Sequence, residues 1–269
     1  MMKIKAFSTR FFTAVLSIVV VFGAQGISAK EVEARTPLSE TKVTAKDLGL
    51  EETALLKQSE GIQAVQYYDE NGNKQVRNAI VTEYHPKDPN AYLIAAGQKP
   101  LEPGETLEKV VDVTFVDNAV NAPQDSASIS PFGLGDYYAK NPSNEYATYG
   151  TSIVASAEET GSSGGTLTLL QSVTVGNSFN ASVSISASVV SLTVGYSVTA
   201  TWGSTASYAE TIKKDNKKTI INAYNKYMTK YYEVWKTGLF SDSLETYGTS
   251  DRHVGFRFDV VTEDGYPSM

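Results

Sequence analysis

Apolar and hydroxyl-bearing residues alternate with the period of a β-strand through the third quarter of the chain. Val173, Val175, Phe179, Ala181, Val183, Ile185, Ala187 and Val189 are apolar and odd-numbered, and mostly Ser, Thr and Asn lie between them. After Val190 the phase slips by one, and Leu192, Val194, Tyr196, Val198, Ala200 and Trp202 are apolar and even-numbered. A period of two sorts these side chains onto opposite faces of an extended chain. A one-residue slip is the mark of a bulge or tight turn. The pattern therefore predicts two long amphipathic strands, 172–190 and 191–209, each with an apolar and a hydroxyl face.

Other segments are read the same way. Residues 62–68 and 75–84 flank Asp69-Glu70-Asn71-Gly72-Asn73, and Asn-Gly supplies the two positive-φ positions of a type I′ hairpin turn. Asp69, Asn71 and Asn73 have the opening spacing of a calcium loop. Lys74 stands where that loop needs glycine and Ile80 where it needs a bidentate glutamate, so the turn is the better reading. Strands are expected at 91–96 and 106–116, and a short helix at 45–59, with Leu48, Leu55 and Leu56 near one face. In 219–235 Tyr224, Tyr227 and Tyr231 recur at helical spacing, but the β-branched and tyrosine content favours a strand. Residues 253–260 read as the last strand. Residues 118–135, rich in small residues, Pro and Gly with one charge, read as a linker centred on 118–131.

The first 29 residues have the layout of a secretory signal: Lys3, Lys5 and Arg10, then a short apolar run, then Ile27-Ser28-Ala29. This sets a secreted, extracellular location as the expectation. Without those three basic residues, 20 Lys and Arg stand against 30 Asp and Glu, a net charge of −10. Such a balance argues against nucleic acid as a partner and against simple adsorption to anionic lipid. Cysteine is absent, which removes disulfides, thiolate nucleophiles and Cys-type metal sites. No histidine motif, nucleophile elbow or phosphate loop occurs, and His85 and His253 stand far apart in sequence. No catalytic, metal or cofactor residue is assigned, and a non-enzymatic role is expected.

The charge distribution carries more information than the total. From Thr160 to Ala209 no residue in 50 positions is charged, and 20 are Ser or Thr. A soluble sandwich usually puts Lys and Glu on its wet face, which also blocks edge-to-edge pairing. Uncharged hydroxyl strands suit a barrel wall with lipid on one side and a watery lumen on the other. Each run exceeds the roughly 9–11 residues that a membrane-crossing strand needs. A buried long-stranded sandwich would carry the same pattern, so both readings stand at this point.

The run LLQSVTVGNSFNASVSISASVVSLTVGYSVTATW, followed by a Ser/Thr strand, a basic turn, a Tyr-rich strand and HVGFRF, resembles small secreted Gram-positive proteins with no assigned activity. More loosely it is similar to the aerolysin and epsilon-toxin-like β-pore-forming proteins, over roughly residues 132–260. That resemblance implies secretion in soluble form, self-oligomerisation on a target membrane, and proteolytic activation. It fixes no individual residue beyond the strands at 172–202. No receptor-binding domain is recognisable.

The expected architecture is mainly β: an elongated antiparallel β-sheet or sandwich over 132–269, preceded by a small α+β unit over 30–117 that is a candidate pro-region. The candidate membrane-inserting residues are Val173, Val175, Phe179, Val183, Ile185, Leu192, Val194, Tyr196, Val198 and Trp202. The competing function is an extracellular binding or structural module for cell wall or glycan. The apolar face separates the two: Val183→Lys abolishes vesicle lysis if these strands enter lipid, and full lysis with lysine there contradicts insertion.

Overall fold

The computed structural model describes residues 41–50, 55–68, 74–116, 133–161, 164–215 and 217–265, all within one compact unit, Arg35–Met269. The expected signal, nearly all of the linker and the turn at 69–73 lie outside the described residues. The chain is mainly β, and every strand pair among the described residues is antiparallel.

Two strands form the spine: β11 (Lys218–Lys236) and β12 (Ser243–Glu263) are laddered from Lys218↔Glu263 to Lys236↔Ser243. At 19 residues, β11 spans about 65 Å at 3.4 Å per residue. Here the β-forming tyrosines and β-branched residues override the helical spacing, as expected. The free edge of β11 is shared by three short strands in turn, β7 (Ala155–Thr160), β6 (Tyr146–Gly150) and β5 (Tyr137–Lys140). Strand β1 (Lys42–Thr44) pairs with β6. On the other side β12 pairs with β4 (Glu105–Phe115), then β3 (Lys74–Pro86), then β2 (Leu55–Tyr68). The β2–β3 hairpin is the one expected from Asn-Gly.

A second layer is a two-stranded ribbon of β8 (Gly165–Gly176) and β10 (Thr201–Ile212), paired over their full length. Leu167, Leu169, Val175, Ala206 and Ile212 of the ribbon pack on Val111, Val113, Ile221, Phe256 and Phe258 of the main sheet. The opposite face is covered by a helix, α1 (Pro89–Ala95), and by the turn at 45–50, through Tyr92, Leu93, Leu48 and Leu50.

Three expectations are corrected. The 91–96 segment is helical because Asp88 caps it, accepting from Ala91 N at 2.9 Å, and Pro89 sits where its missing N–H costs nothing. The helix expected at 45–59 is a turn at its start, where Thr44 and Asp47 exchange hydrogen bonds, and from Leu55 it is strand β2. The division into units at 30–117 and 132–269 does not hold for the sheet, since β4 ladders with β12. Strand β4 buries Val110, Val111, Asp112 and Val113 in succession, so it needs cover on both faces and a neighbour on both edges.

The α1-facing side of the spine holds a buried polar layer. Arg257 is fully buried, its Nε 3.3 Å from Asp259 and its guanidinium 4.1 Å from the Tyr224 ring centre. Tyr92 donates to Asp259 at 2.6 Å. Directly across from Arg257 on β4, Asp112 accepts from Lys226 at 2.6 Å and from Tyr149 at 2.9 Å. Removing one member of a buried ion pair strands the other charge, at about 3–5 kcal/mol. Arg257→Met is therefore expected to lose about that much in urea unfolding, and Arg257→Met with Asp259→Leu to recover most of it. A single variant as stable as the native chain would show that the pair is not ionised as a unit.

Candidate functional site

The segment that joins the two ribbon strands, residues 177–200, folds back over the spine as a tongue. It begins with β9 (Ser178–Asn180), which pairs with Thr249–Asp251 of β12. Residues 181–186 run on without a strand partner among the described residues. Ala181, Val183 and Ile185 still turn inward while Ser182, Ser184 and Ser186 face solvent. A short helix follows, α2 (Ala187–Val194), and the chain returns through Tyr196 and Val198.

The sequence pattern of a strand is thus realised here without a strand. The phase slip expected to be a bulge or tight turn is helix α2, which replaces the continuous strands expected at 172–190 and 191–209. Helix α2 is locally disfavoured, because Val189, Val190, Thr193 and Val194 are β-branched. Its ends are well made: Ser186 accepts from Val189 N, and Gly195 takes φ 88°, a left-handed C-cap conformation. Burial of Val190, Val194, Tyr196 and Val198 against Tyr232 and Val234 of β11 supplies the rest. At about 1.5–3 kcal/mol per large apolar side chain, that burial outweighs the propensity deficit of a few tenths per residue.

The tongue is held to the spine by named polar contacts. Asn177, 1% exposed, pins both of its ends: its Oδ1 accepts from His253 N at 3.0 Å and its Nδ2 donates to Ser197 O at 2.7 Å. Ser178 and Lys42 donate to Asp251 Oδ2, and Thr229 donates to its Oδ1. The Tyr196 hydroxyl meets Ser250 Oγ at 2.7 Å, and Ser182 donates to Thr246 Oγ1 at 2.8 Å. Lys230 reaches the Val194 carbonyl at the end of α2, where a cation suits the helix dipole. The ribbon has its own tie: Lys109 pairs with Glu210 at 2.8 Å and Glu83 at 3.3 Å, and Tyr208 stacks on Phe258.

At the root of the tongue lies His253. A bulge opposite Lys226 and Tyr227 lets β12 change phase there, and Gly255 makes it possible, since a Cβ would overlap the Val113 carbonyl. The His253 ring is enclosed by Trp202 of β10, Tyr227 of β11 and Phe256 of β12, and its Nε2 lacks a hydrogen-bond partner. Burial, reinforced by the charge of Arg77 on β3, pushes its pKa down to about 3.

The ten candidate residues are dispersed by this arrangement. Val173, Val175 and Trp202 lie on the ribbon, Phe179 on β9, and Val183 and Ile185 on the unpaired stretch. Leu192 and Val194 are on α2, and Tyr196 and Val198 on the return. Sequence reasoning gave no role to Asn177, Asp251, Lys230 or His253, which are brought together only by pairing between distant strands. Among the described residues no group of three or more His, Asp or Glu is arranged to hold a metal, and no helix is long and apolar enough to cross a membrane, which says nothing of a β-barrel.

In comparison with known proteins, no family model, no curated protein and no solved structure matches the chain.

A histidine whose folded pKa lies below its ordinary 6.5 favours the folded state while neutral. Between those two values the unfolded chain binds the extra proton, so this stability is present above pH 6.5 and declines as pH falls toward 3. We expect unfolding free energy to fall with acidification by up to about 1.4 kcal/mol per pH unit from this residue. His253→Phe should flatten that slope between pH 6.5 and 4. An unchanged slope in denaturant titrations would assign it to the carboxylates instead.

Proposed function

We propose that this is a secreted, non-enzymatic, membrane-active protein whose tongue unfolds from the spine and extends the β8–β10 ribbon into the wall of a β-barrel pore. The observation that carries the reading is the mismatch between pattern and conformation in residues 177–200. The alternation of the ribbon and the charge-free run 160–209 continue through the tongue, yet among the described residues 181–186 has no ladder and 187–194 is a β-branched helix. A segment with two nearly balanced conformations is what a switch requires.

Continuing the ribbon's register through the tongue would lengthen both 12-residue strands. Phe179, Val183, Ile185, Leu192 and Val194 would then line a lipid-facing side, with Ser182, Ser184, Ser186 and Thr193 on the lumen side. No charge would have to cross hydrocarbon. Backbone groups that are unpaired in the soluble state would find partners in the barrel, as an apolar medium demands. The partners are the target membrane and further copies of the chain. The binding-module reading has one observation in its favour: Tyr146 and the half-exposed Tyr231 stack at 5.4 Å, a flat aromatic surface of the kind that sugars use.

Because the chain has no cysteine, a single engineered disulfide can lock the tongue. Ser182 and Thr246 touch through their side chains, so Ser182→Cys with Thr246→Cys ties tongue to β12. With residues 1–29 removed, the oxidised variant should release no dye from vesicles, and reduction should restore release to the native level. Equal release in both states would refute the tongue mechanism. The absence of release from any membrane by the native chain would favour the glycan or cell-wall module.

A further inference from the structure

The turn between β11 and β12 places two large apolar residues in water. Leu239 is 73% and Phe240 96% exposed, and the neighbouring loop adds Leu134 at 68%. This exposure is held in place by the fold. Gly135 N donates to Thr237 O, Thr237 N donates to Asp136 O, and Thr237 Oγ1 donates to Gly133 O, so the two loops are stitched into one tip. Asp242 accepts from Gly238 N and from the Tyr138 hydroxyl, closing the turn from both sides. A Cβ at Gly238 would overlap the Ser241 carbonyl, so the tight turn depends on that glycine. A soluble hairpin tip gains nothing by presenting leucine and phenylalanine outward from a braced turn, and such a patch marks an interaction surface.

The surroundings say which kind. Behind the apolar tip stand Trp235, Tyr137 and Tyr138, amphipathic rings of the sort that settle at a membrane–water interface. The Trp235 N–H is satisfied by Glu233, and Lys140 lies 3.4 Å from the Trp235 ring centre. The two lysines, Lys140 and Lys236, are outnumbered by Asp136, Glu233 and Asp242, and the chain without residues 1–29 carries −10. That charge favours a zwitterionic surface over an anionic one. The tongue lies alongside, since Thr193 of α2 donates to Ala139 O of β5 and Tyr137 joins the tongue's apolar cluster.

We infer that Leu134, Leu239 and Phe240 form a docking tip that enters the interface of a phosphatidylcholine-type bilayer and brings the tongue to the lipid surface. The partner class rests on the membrane reading of the tongue, but docking and permeabilisation are separate events and are measured separately. The residues involved are exposed, so their substitution leaves the core untouched.

The test is flotation of the protein lacking residues 1–29, which retains the compact unit Arg35–Met269, with phosphatidylcholine vesicles. The native protein should float, and Leu239→Ser with Phe240→Ser should weaken vesicle affinity by roughly tenfold or more, the loss of two buried apolar side chains. Phe240→Trp should float and shift its emission to the blue. Adding phosphatidylserine should not strengthen binding. Native protein that floats without releasing dye leaves the tip standing and defeats the tongue mechanism. A double variant that floats as well as the native protein, or a Phe240→Trp emission that stays unchanged on binding, overturns the tip and leaves the tongue reading intact. Native protein that ignores these vesicles overturns the tip, and dye release from vesicles of another composition then decides the tongue mechanism.

Discussion

The backbone ladder between β11 and β12 is the constraint on which both faces of the molecule depend. Its length lets one edge of β11 carry three short strands in succession, while β12 carries β4 on one half of its free edge and the start of the tongue on the other. Its register is fixed by the bulge at His253–Gly255, and that bulge decides which side chains face the ribbon and which face α1. The Arg257–Asp259 pair and the Asp112–Lys226 pair then lock the spine against slippage, because a shift of one residue would turn two buried cations toward the apolar ribbon.

The two layers on the spine are held by different means. The ribbon packs through large apolar side chains and through Lys109 with Glu210, in a region where both strands are already paired. The tongue packs through Val190, Val194, Tyr196 and Val198, and many of its polar ties join hydroxyls or amides to β12. Neutral hydrogen bonds of this kind contribute about 0.5–1.5 kcal/mol each, because water competes for the same groups. The tongue is therefore the layer whose local preference agrees least with its observed conformation, and local opening would begin there.

Much of this was legible in the sequence, and the failures have physical causes. The alternation at Val173, Val175 and Trp202 gave the ribbon faces correctly, because those residues do lie in ladders. The same alternation misled from Val183 to Val194, where Ser186 and Gly195 act as helix caps yet also fit a period of two. Asp88-Pro89 was a readable helix start, obscured by the apolar run that follows it. The joining of β4 to β12 was foreshadowed by the apolar residues on both faces of 110–115, a mark of a central strand. The ties that hold the tongue could not be read, since Asn177, Asp251 and His253 meet only through pairing between distant strands.

The central claim is that residues 181–198 exchange a strand-like pattern without a ladder for a ladder in the membrane. Backbone hydrogen exchange reads this directly. Free in solution, the amides of 181–186 should exchange rapidly while those of β11 and β12 are protected. Bound to vesicles, 181–198 should become protected to the level of the ribbon. Membrane-bound protein in which 181–186 still exchanges as fast as in solution would contradict the account.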